Sequence, residues 1–212
     1  MNKNIEHTHI GSPLVFVVDD DEAMRHSIVC LLESANLPCR MFGDAGAFLE
    51  FCDPRQSGCL LLDIRMPGMG GMELLERLQA DGVSMPVIII TGHGDVPLAV
   101  RALKSGAFDF VQKPFHAQDL LDKVHAALKQ VRELRHENLK QDSLRSRFDV
   151  LTGREREIME FVVSGGTSKV IAIKLGISPK TVDIHRSNIM KKLNVQTIAE
   201  LVQNRLALRD DY

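Results

Sequence analysis

The sequence predicts a doubly wound α/β domain on a five-stranded parallel sheet, followed by a long linker helix and a small all-α domain. Three observations predict this. Five short strand-like segments alternate with helical patterns over residues 13–130, the order that builds a parallel sheet with helices on both faces. Two of those segments, LVFVV and VIII, are apolar without alternation, as strands covered on both sides are. From Asp119 the pattern becomes one long polar helix, and residues 149–212 are helical by pattern throughout.

The strands fall at Leu14–Val18, Pro38–Phe42, Cys59–Asp63, Pro86–Thr91 and Asp109–Lys113. Between the first two, Met24, Ile28, Leu31, Leu32 and Ala35 recur at helical spacing; Phe48 and Leu49 with Cys52 do so after the second. Met72, Leu74, Leu75 and Leu78, then Val96, Val100 and Leu103, mark the next two helices. Asp44 and Asp95 stand where N-caps belong. In the long helix, Leu120, Val124, Ala127, Val131, Leu134, Asn138 and Gln141 follow a 4-3-4-3 spacing. Its first half packs on the sheet. Its second half is either a solvated linker or a short dimeric coiled coil with Asn138 as the register-setting polar residue. Further on, Thr152–x–x–Glu155 and Thr197–x–x–Glu200 fit capping boxes, and Ser178-Pro179 reads as an N-cap followed by N1. The predicted organisation is a flexible tail over 1–12, an α/β domain over 13–130, a helical linker over 131–148 and an all-α domain over 149–212, with the polar stretch Lys140–Asp149 marking the junction.

Composition narrows the classes of function. Hydrophobic residues make up 44% and charged residues 25% of 212, ordinary for a globular protein. The strictly apolar runs, such as Leu14–Val18, are far short of a membrane span, and the polar start does not read as a signal peptide. Cys30, Cys39, Cys52 and Cys59 form no CxxC pair, so reduced thiols in a cytoplasmic chain are expected. His7 and His9 form an HxH in the tail, where metal binding is not expected. Residues 1–130 hold 11 Lys/Arg against 17 Asp/Glu, a net −6, and residues 131–212 hold 15 against 11, a net +4. An acidic front and a basic back suggest two units with different partners, and the basic one permits nucleic acid.

Chemistry in an open parallel sheet gathers at the carboxyl ends of the strands. There the first strand runs into Asp19-Asp20-Asp21, the third ends in Asp63, the fourth in Thr91 and the fifth in Lys113-Pro114. Clustered carboxylates repel one another and raise each other's pKa. They make sense around a hard divalent cation such as Mg²⁺, which takes oxygen ligands and phosphate. Asp63 is then a candidate carboxylate nucleophile that forms an acyl phosphate, with Lys113 and the Thr91 hydroxyl holding phosphate oxygens. Taken singly, each residue has a plainer role: helix caps for Asp19–Asp21, a turn former for Asp63, a strand-end cap for Thr91 and an exposed charge for Lys113. The conjunction of four strand ends favours the chemical reading. His93, two residues past Thr91, reads as a loop residue more than a catalyst.

The segments VVDDDEAMR (17–25), LLDIRMPGMGG (61–71), IITGHGDVPLAV (89–100) and FDFVQKPF (108–115) resemble the flavodoxin-like receiver domain of two-component response regulators. The resemblance implies that Asp63 accepts a phosphoryl group from the phosphohistidine of a sensor histidine kinase. It implies Mg²⁺ bound by Asp20 and Asp63 directly, by Asp19 through water and by the main-chain carbonyl of Arg65. It assigns Lys113 and Thr91 to the phosphoryl group, makes the Lys113–Pro114 bond cis, and matches Phe110 to an aromatic switch that turns inward when Thr91 moves. Gly70 departs from the Asp or Ser common at its position, which predicts a more flexible turn after the site.

In the basic half, Ala172, Gly176 and Val182 have the spacing of a helix-turn-helix: a small residue where the helices approach, a glycine for the turn and an apolar residue closing the core. Val182, Ile189 and Leu193 form the inward stripe of the second helix, and Lys180, Asp183, Ile184, Ser187 and Lys191 the outward one. A recognition helix uses outward residues for base edges and basic residues for phosphates. Ile184 suits a thymine methyl, or is simply a surface residue; Asp183 suits a cytosine amine, or the helix N-terminus. Thr181 and Lys169 complete the candidate DNA-binding set, while His185 and Met190 read as packing residues.

Residues 151–202 resemble the LuxR/NarL-type four-helix DNA-binding domain, and the whole chain resembles the FixJ/StyR subfamily of response regulators. That resemblance implies phosphorylation-driven homodimerisation through the fourth-helix–fifth-strand face, binding to promoter DNA and transcriptional activation with RNA polymerase. It implies no enzyme beyond self-phosphorylation and slow autodephosphorylation at Asp63. Two other readings are a DNA-binding regulator that ignores phosphate and a Mg²⁺-dependent phosphatase. The latter usually needs an acid two residues past its Asp nucleophile, where this chain has Arg65.

Overall fold

The computed structural model describes residues 13–53, 56–92 and 96–208. His7, His9, His93 and the candidate cap Asp95 lie outside the described residues. The chain divides into two compact units, Met1–Leu134 and Arg135–Tyr212.

The first unit alternates β1 (Leu14–Val18), α1 (Glu22–Ser34), β2 (Cys39–Phe42), α2 (Ala45–Phe51), β3 (Gly58–Asp63), α3 (Gly71–Ala80), β4 (Val87–Thr91), α4 (Val96–Lys104) and β5 (Asp109–Gln112), then enters α5 (Ala117–Asp149). The five strands are parallel in the order β2-β1-β3-β4-β5. The predicted strands are present, with ends shifted by no more than one residue. Pro38 and Pro86 have no N–H to donate, so the ladders start after them, yet their carbonyls accept from Val15 and Leu60 at 2.9 Å each.

Period-two alternation divides the core between the two faces of the sheet. Phe16, Val18, Leu60, Leu62 and Ile89 pack with Phe48 of α2, Leu74, Leu75 and Leu78 of α3 and Ala102 of α4. Val15, Val17, Leu61, Ile88, Ile90 and Val111 pack with Ile28 and Leu32 of α1 and with Leu120, Val124, Ala127 and Leu128 of α5. Both faces are covered, hence the apolar runs. Each fully buried Leu or Ile side chain contributes about 2 kcal/mol of transfer free energy. Among the described side chains of α4, Ala99 and Ala102 are buried, while Val100 and Leu103 stay exposed. The apolar spacing therefore marks a helix correctly, but Val100 and Leu103 do not mark its buried face. Asp44 caps α2, accepting from the Ala47 amide at 2.8 Å.

The second unit contains the later part of α5, then α6 (Gly153–Val163), α7 (Ser168–Leu175), α8 (Pro179–Leu193) and α9 (Ile198–Ala207). Its core is Leu151, Ile158, Met159, Val162, Ile171, Ala172, Val182, Ile189, Leu193, Val195 and Leu201. Thr152 and Glu155 form the predicted capping box. At α9, Thr197 caps the Glu200 amide, but the Glu200 carboxylate returns to the amide of Gln196 rather than that of Thr197.

Glu155 is buried, and Lys192 Nζ sits 2.7 Å from its carboxylate. Hydrogen bonds from Lys192 and Thr152 pull its pKa down from 4.5 to about 2. A carboxylate whose folded pKa is depressed stabilises the fold fully above its unfolded value, and that contribution is lost as the pH falls through the folded one. The α-helical unit is therefore expected to lose stability between pH 4.5 and about 2. Glu155→Gln is expected to cost about 2 kcal/mol at neutral pH and to flatten that acid dependence, read by circular dichroism melts across the window.

Candidate functional site

The sheet order reverses direction between β1 and β3, because β1 leads to β2 on one side and β3 continues on the other. A crevice opens at the carboxyl ends of strands at such a point. Asp19 follows β1 directly and Asp63 ends β3; both are buried. Thr91 ends β4 and is fully buried, and Lys113 follows β5. The Lys113 amide donates to the Thr91 carbonyl at 2.7 Å, which extends the β4–β5 ladder beyond Gln112. The Lys113–Pro114 peptide is cis.

Lys113 joins the site. Its Nζ lies 2.8 Å from Asp19 Oδ2 and 2.7 Å from Asp63 Oδ1. The other Asp63 oxygen accepts from the Arg65 amide at 2.7 Å, and Asp19 Oδ1 accepts from the Asp21 amide at 2.9 Å. Burial pushes the Asp63 carboxyl above its ordinary pKa, and Lys113 and the Arg65 amide oppose that shift while Asp19 adds to it. Burial also works against the Lys113 charge, but the hydrogen bonds and charges of Asp19 and Asp63 outweigh it and raise the ammonium pKa. Two buried carboxylates thus share one ammonium.

The predicted three-carboxylate cluster divides by role. Asp20 is exposed beside the crevice. Asp21 caps α1, accepting from Ala23 and Met24 at 2.9 and 3.2 Å, so for Asp21 the plainer reading is correct. Among the described residues no three His, Cys, Asp or Glu side chains come together closely enough to hold a metal by themselves. A donor set of buried carboxylate oxygens with excess negative charge suits a hard cation that completes its shell with a main-chain carbonyl and water. Buried Asp19 and Asp63, with exposed Asp20 and the Arg65 carbonyl beside them, are the candidate groups for Mg²⁺. Thr91 Oγ1 makes one long hydrogen bond, 3.4 Å to the Gly92 carbonyl. Phe110 of β5 pairs with Ile89 of β4, two residues before Thr91, and is half-buried against the α2–α3–α4 side of the core.

Two supporting residues were not singled out by sequence reasoning. Arg25 Nη1 donates to the Asp19 carbonyl at 2.6 Å and fixes the main chain at the acidic turn; its place one turn into a helix after DDD is the only signal. Gly71 starts α3 against the backbone of Asp63, where an added Cβ would stand 2.1 Å from the Asp63 carbonyl oxygen. Gly70, expected to loosen the turn, has φ −73°, a conformation open to any residue. Of the adjacent pair, Gly71 is the constrained one.

In the second unit, Ala172 and Val182 are buried and Gly176 closes α7 in the left-handed region at φ 65°. Ser178 caps α8 through the Thr181 amide, with Pro179 as its first residue. These are the parts of a helix-turn-helix. Lys169, Lys180, Asp183, Ile184, Ser187 and Lys191 are exposed, and Ile184 is 54% exposed. Thr181 is half-buried, and its hydroxyl lies 2.8 Å from that of Ser178. His185 and Met190 are half-buried, and Met190 packs against the core.

Comparison with known proteins identifies both domains. Residues 15–125 match the response regulator receiver domain and residues 149–204 the luxR family of bacterial regulatory proteins. The chain is 42% identical to the transcriptional regulatory protein FixJ of Bradyrhizobium diazoefficiens over 195 residues, 92% of this chain and 94% of that protein. It is 38% identical to the response regulator protein TmoT of Ectopseudomonas mendocina, across 97% of this chain and 93% of that one. Among solved structures, the response regulator StyR superposes with a TM-score of 0.84 at 46% identity, covering 92% of this chain and 98% of StyR. Full-length FixJ from B. japonicum gives 0.58 at 40% identity, covering 92% and 97%. With both domain families matched and relatives aligned over most of its length, the chain belongs to the two-component response regulators of the FixJ/StyR type, which join a receiver domain to a LuxR-type helix-turn-helix domain.

Proposed function

We propose that Asp63 accepts a phosphoryl group from the phosphohistidine of a sensor histidine kinase, and that this controls promoter binding by residues 149–212. The observation that carries the proposal is the bridge from Lys113 to both Asp19 and Asp63 at the switch point of the sheet. The Asp63 carboxylate attacks phosphorus, the P–N bond to the kinase histidine breaks, and the imidazole leaves with a proton. Bound Mg²⁺ would supply charge neutralisation of the phosphoryl oxygens. Lys113 and the Thr91 hydroxyl take up the remaining oxygens, and Phe110 follows Thr91 inward. The exposed face of α4 and β5 then pairs with a second copy, residues 131–148 act as the linker, and the paired C-terminal domains meet a two-fold site. This is a population shift driven by one covalent group.

Lys169, Lys180, Ile184, Ser187 and Lys191 form the DNA-facing set, and activation through RNA polymerase in the cytoplasm is the outcome. No described helix is long and apolar enough to cross a membrane. Incubation with acetyl phosphate and Mg²⁺ tests the first step: intact-mass analysis should show one added phosphoryl group on the wild-type chain. A chain that never gains it under those conditions would leave only a phosphate-independent regulator.

A further inference from the structure

Asp183 stands on the recognition helix, where a carboxylate is repelled by phosphates. Its surroundings give it a different task. The Ser168 hydroxyl, on the first residue of α7, donates to Asp183 Oδ1 at 2.6 Å. The same hydroxyl accepts from Arg186 Nη1 at 3.2 Å. Guanidinium, hydroxyl and carboxylate form a continuous chain between the two helices of the motif. Helix geometry agrees with this placement. At about 100° per residue, Asp183 and Arg186 lie about 100° and 40° round α8 from the buried Val182, on one flank. Lys180, Ile184, Ser187 and Lys191 lie about 140–180° from it, on the outward face.

We infer that Ser168 and Asp183 are positioning residues that brace α7 to α8, and that Asp183 does not read a base. The bridge holds the Asp183 charge against Arg186 and away from the phosphates. Base reading falls to Ile184 and Ser187, with Lys180 and Lys191 toward the backbone of the duplex. Thr181, engaged with Ser178, belongs to the helix cap. This inference rests on the DNA-binding reading above.

The test uses the full chain. A duplex is first selected by the wild-type protein from a random-sequence pool. Binding to it and to its single-base-pair variants is then measured by fluorescence anisotropy, with circular dichroism confirming that each protein variant is folded. Asp183→Asn should keep the wild-type base preference at every position, whereas Ile184→Ala should relax it at one. Ser168→Ala releases the carboxylate and should weaken binding about threefold to tenfold, the worth of one hydrogen bond. Ser168→Thr, which keeps the hydroxyl, should restore most of it. In an Asp183→Asn background, where no charge is released, Ser168→Ala should cost less than about twofold by the same reckoning. Lost discrimination at one base pair in Asp183→Asn, or an equal cost of Ser168→Ala in both backgrounds, would overturn the inference while leaving DNA binding intact. A wild-type chain that enriches no duplex would overturn the DNA-binding reading and this inference together.

Discussion

Asp63→Asn is expected to abolish phosphoryl uptake from both a kinase and acetyl phosphate. Asparagine keeps the size and planarity of the side chain, and its amide oxygen can still accept from the Arg65 amide that now lies 2.7 Å from Asp63 Oδ2. What is lost is the anionic nucleophile. Asp19, equally buried on the far side of Lys113, is no substitute, because it holds the Asp21 amide and follows β1 rather than ending β3. Intact-mass analysis after incubation with phosphodonor and Mg²⁺ reads the result. A variant that gained a phosphoryl group at the wild-type rate would move the acceptor elsewhere.

Gly71→Ala is expected to be costly without removing any functional group. Its Cβ would stand 2.1 Å from the Asp63 carbonyl oxygen and 3.0 Å from both the Asp63 carbonyl carbon and the Ile64 Cα. All three are backbone atoms, so no side chain can swing away; α3 or the end of β3 has to shift. Overpacking of this kind costs about 1–3 kcal/mol or more, and the shift falls on the residue that must take phosphate. A lowered unfolding midpoint together with slowed phosphorylation is expected. Gly70→Asp is the paired control. A Cβ there meets nothing closer than the Ile64 carbonyl at 3.5 Å, and α3 has no side-chain cap, so an aspartate should be tolerated and gain a few tenths of a kcal/mol as an N-cap. Equal damage from both substitutions would contradict the assignment of the constraint to Gly71.

Much of the molecule was legible in the sequence because it is written in short-range rules. Unbroken apolar runs report strands covered on both sides, and the buried Leu60–Leu62 and Ile88–Ile90 occupy such positions. Strand ends place Asp19, Asp63, Thr91 and Lys113 along one sheet edge before any coordinate is known. Caps such as Asp44, Thr152 and Ser178 are local chemistry and fall where spacing puts them. What the sequence withheld depends on contacts between distant segments. The division of DDD into a buried partner of Lys113, an exposed side chain and a helix cap needs the approach of residue 113. The burial of Ala99 and Ala102 rather than Val100 and Leu103 depends on how closely α4 lies against the sheet. The Ser168–Asp183–Arg186 bridge joins two helices whose separation spacing alone does not state.

We propose that one phosphoryl group on Asp63 turns the receiver into a pairing surface. Solution mass by multi-angle light scattering, with Mg²⁺ and with or without beryllium fluoride as a phosphoryl mimic, tests it most directly. The mass of the wild-type chain should double on adding beryllium fluoride, and that of Asp63→Asn should not change. A wild-type mass that stayed constant would contradict dimerisation as the output of phosphorylation.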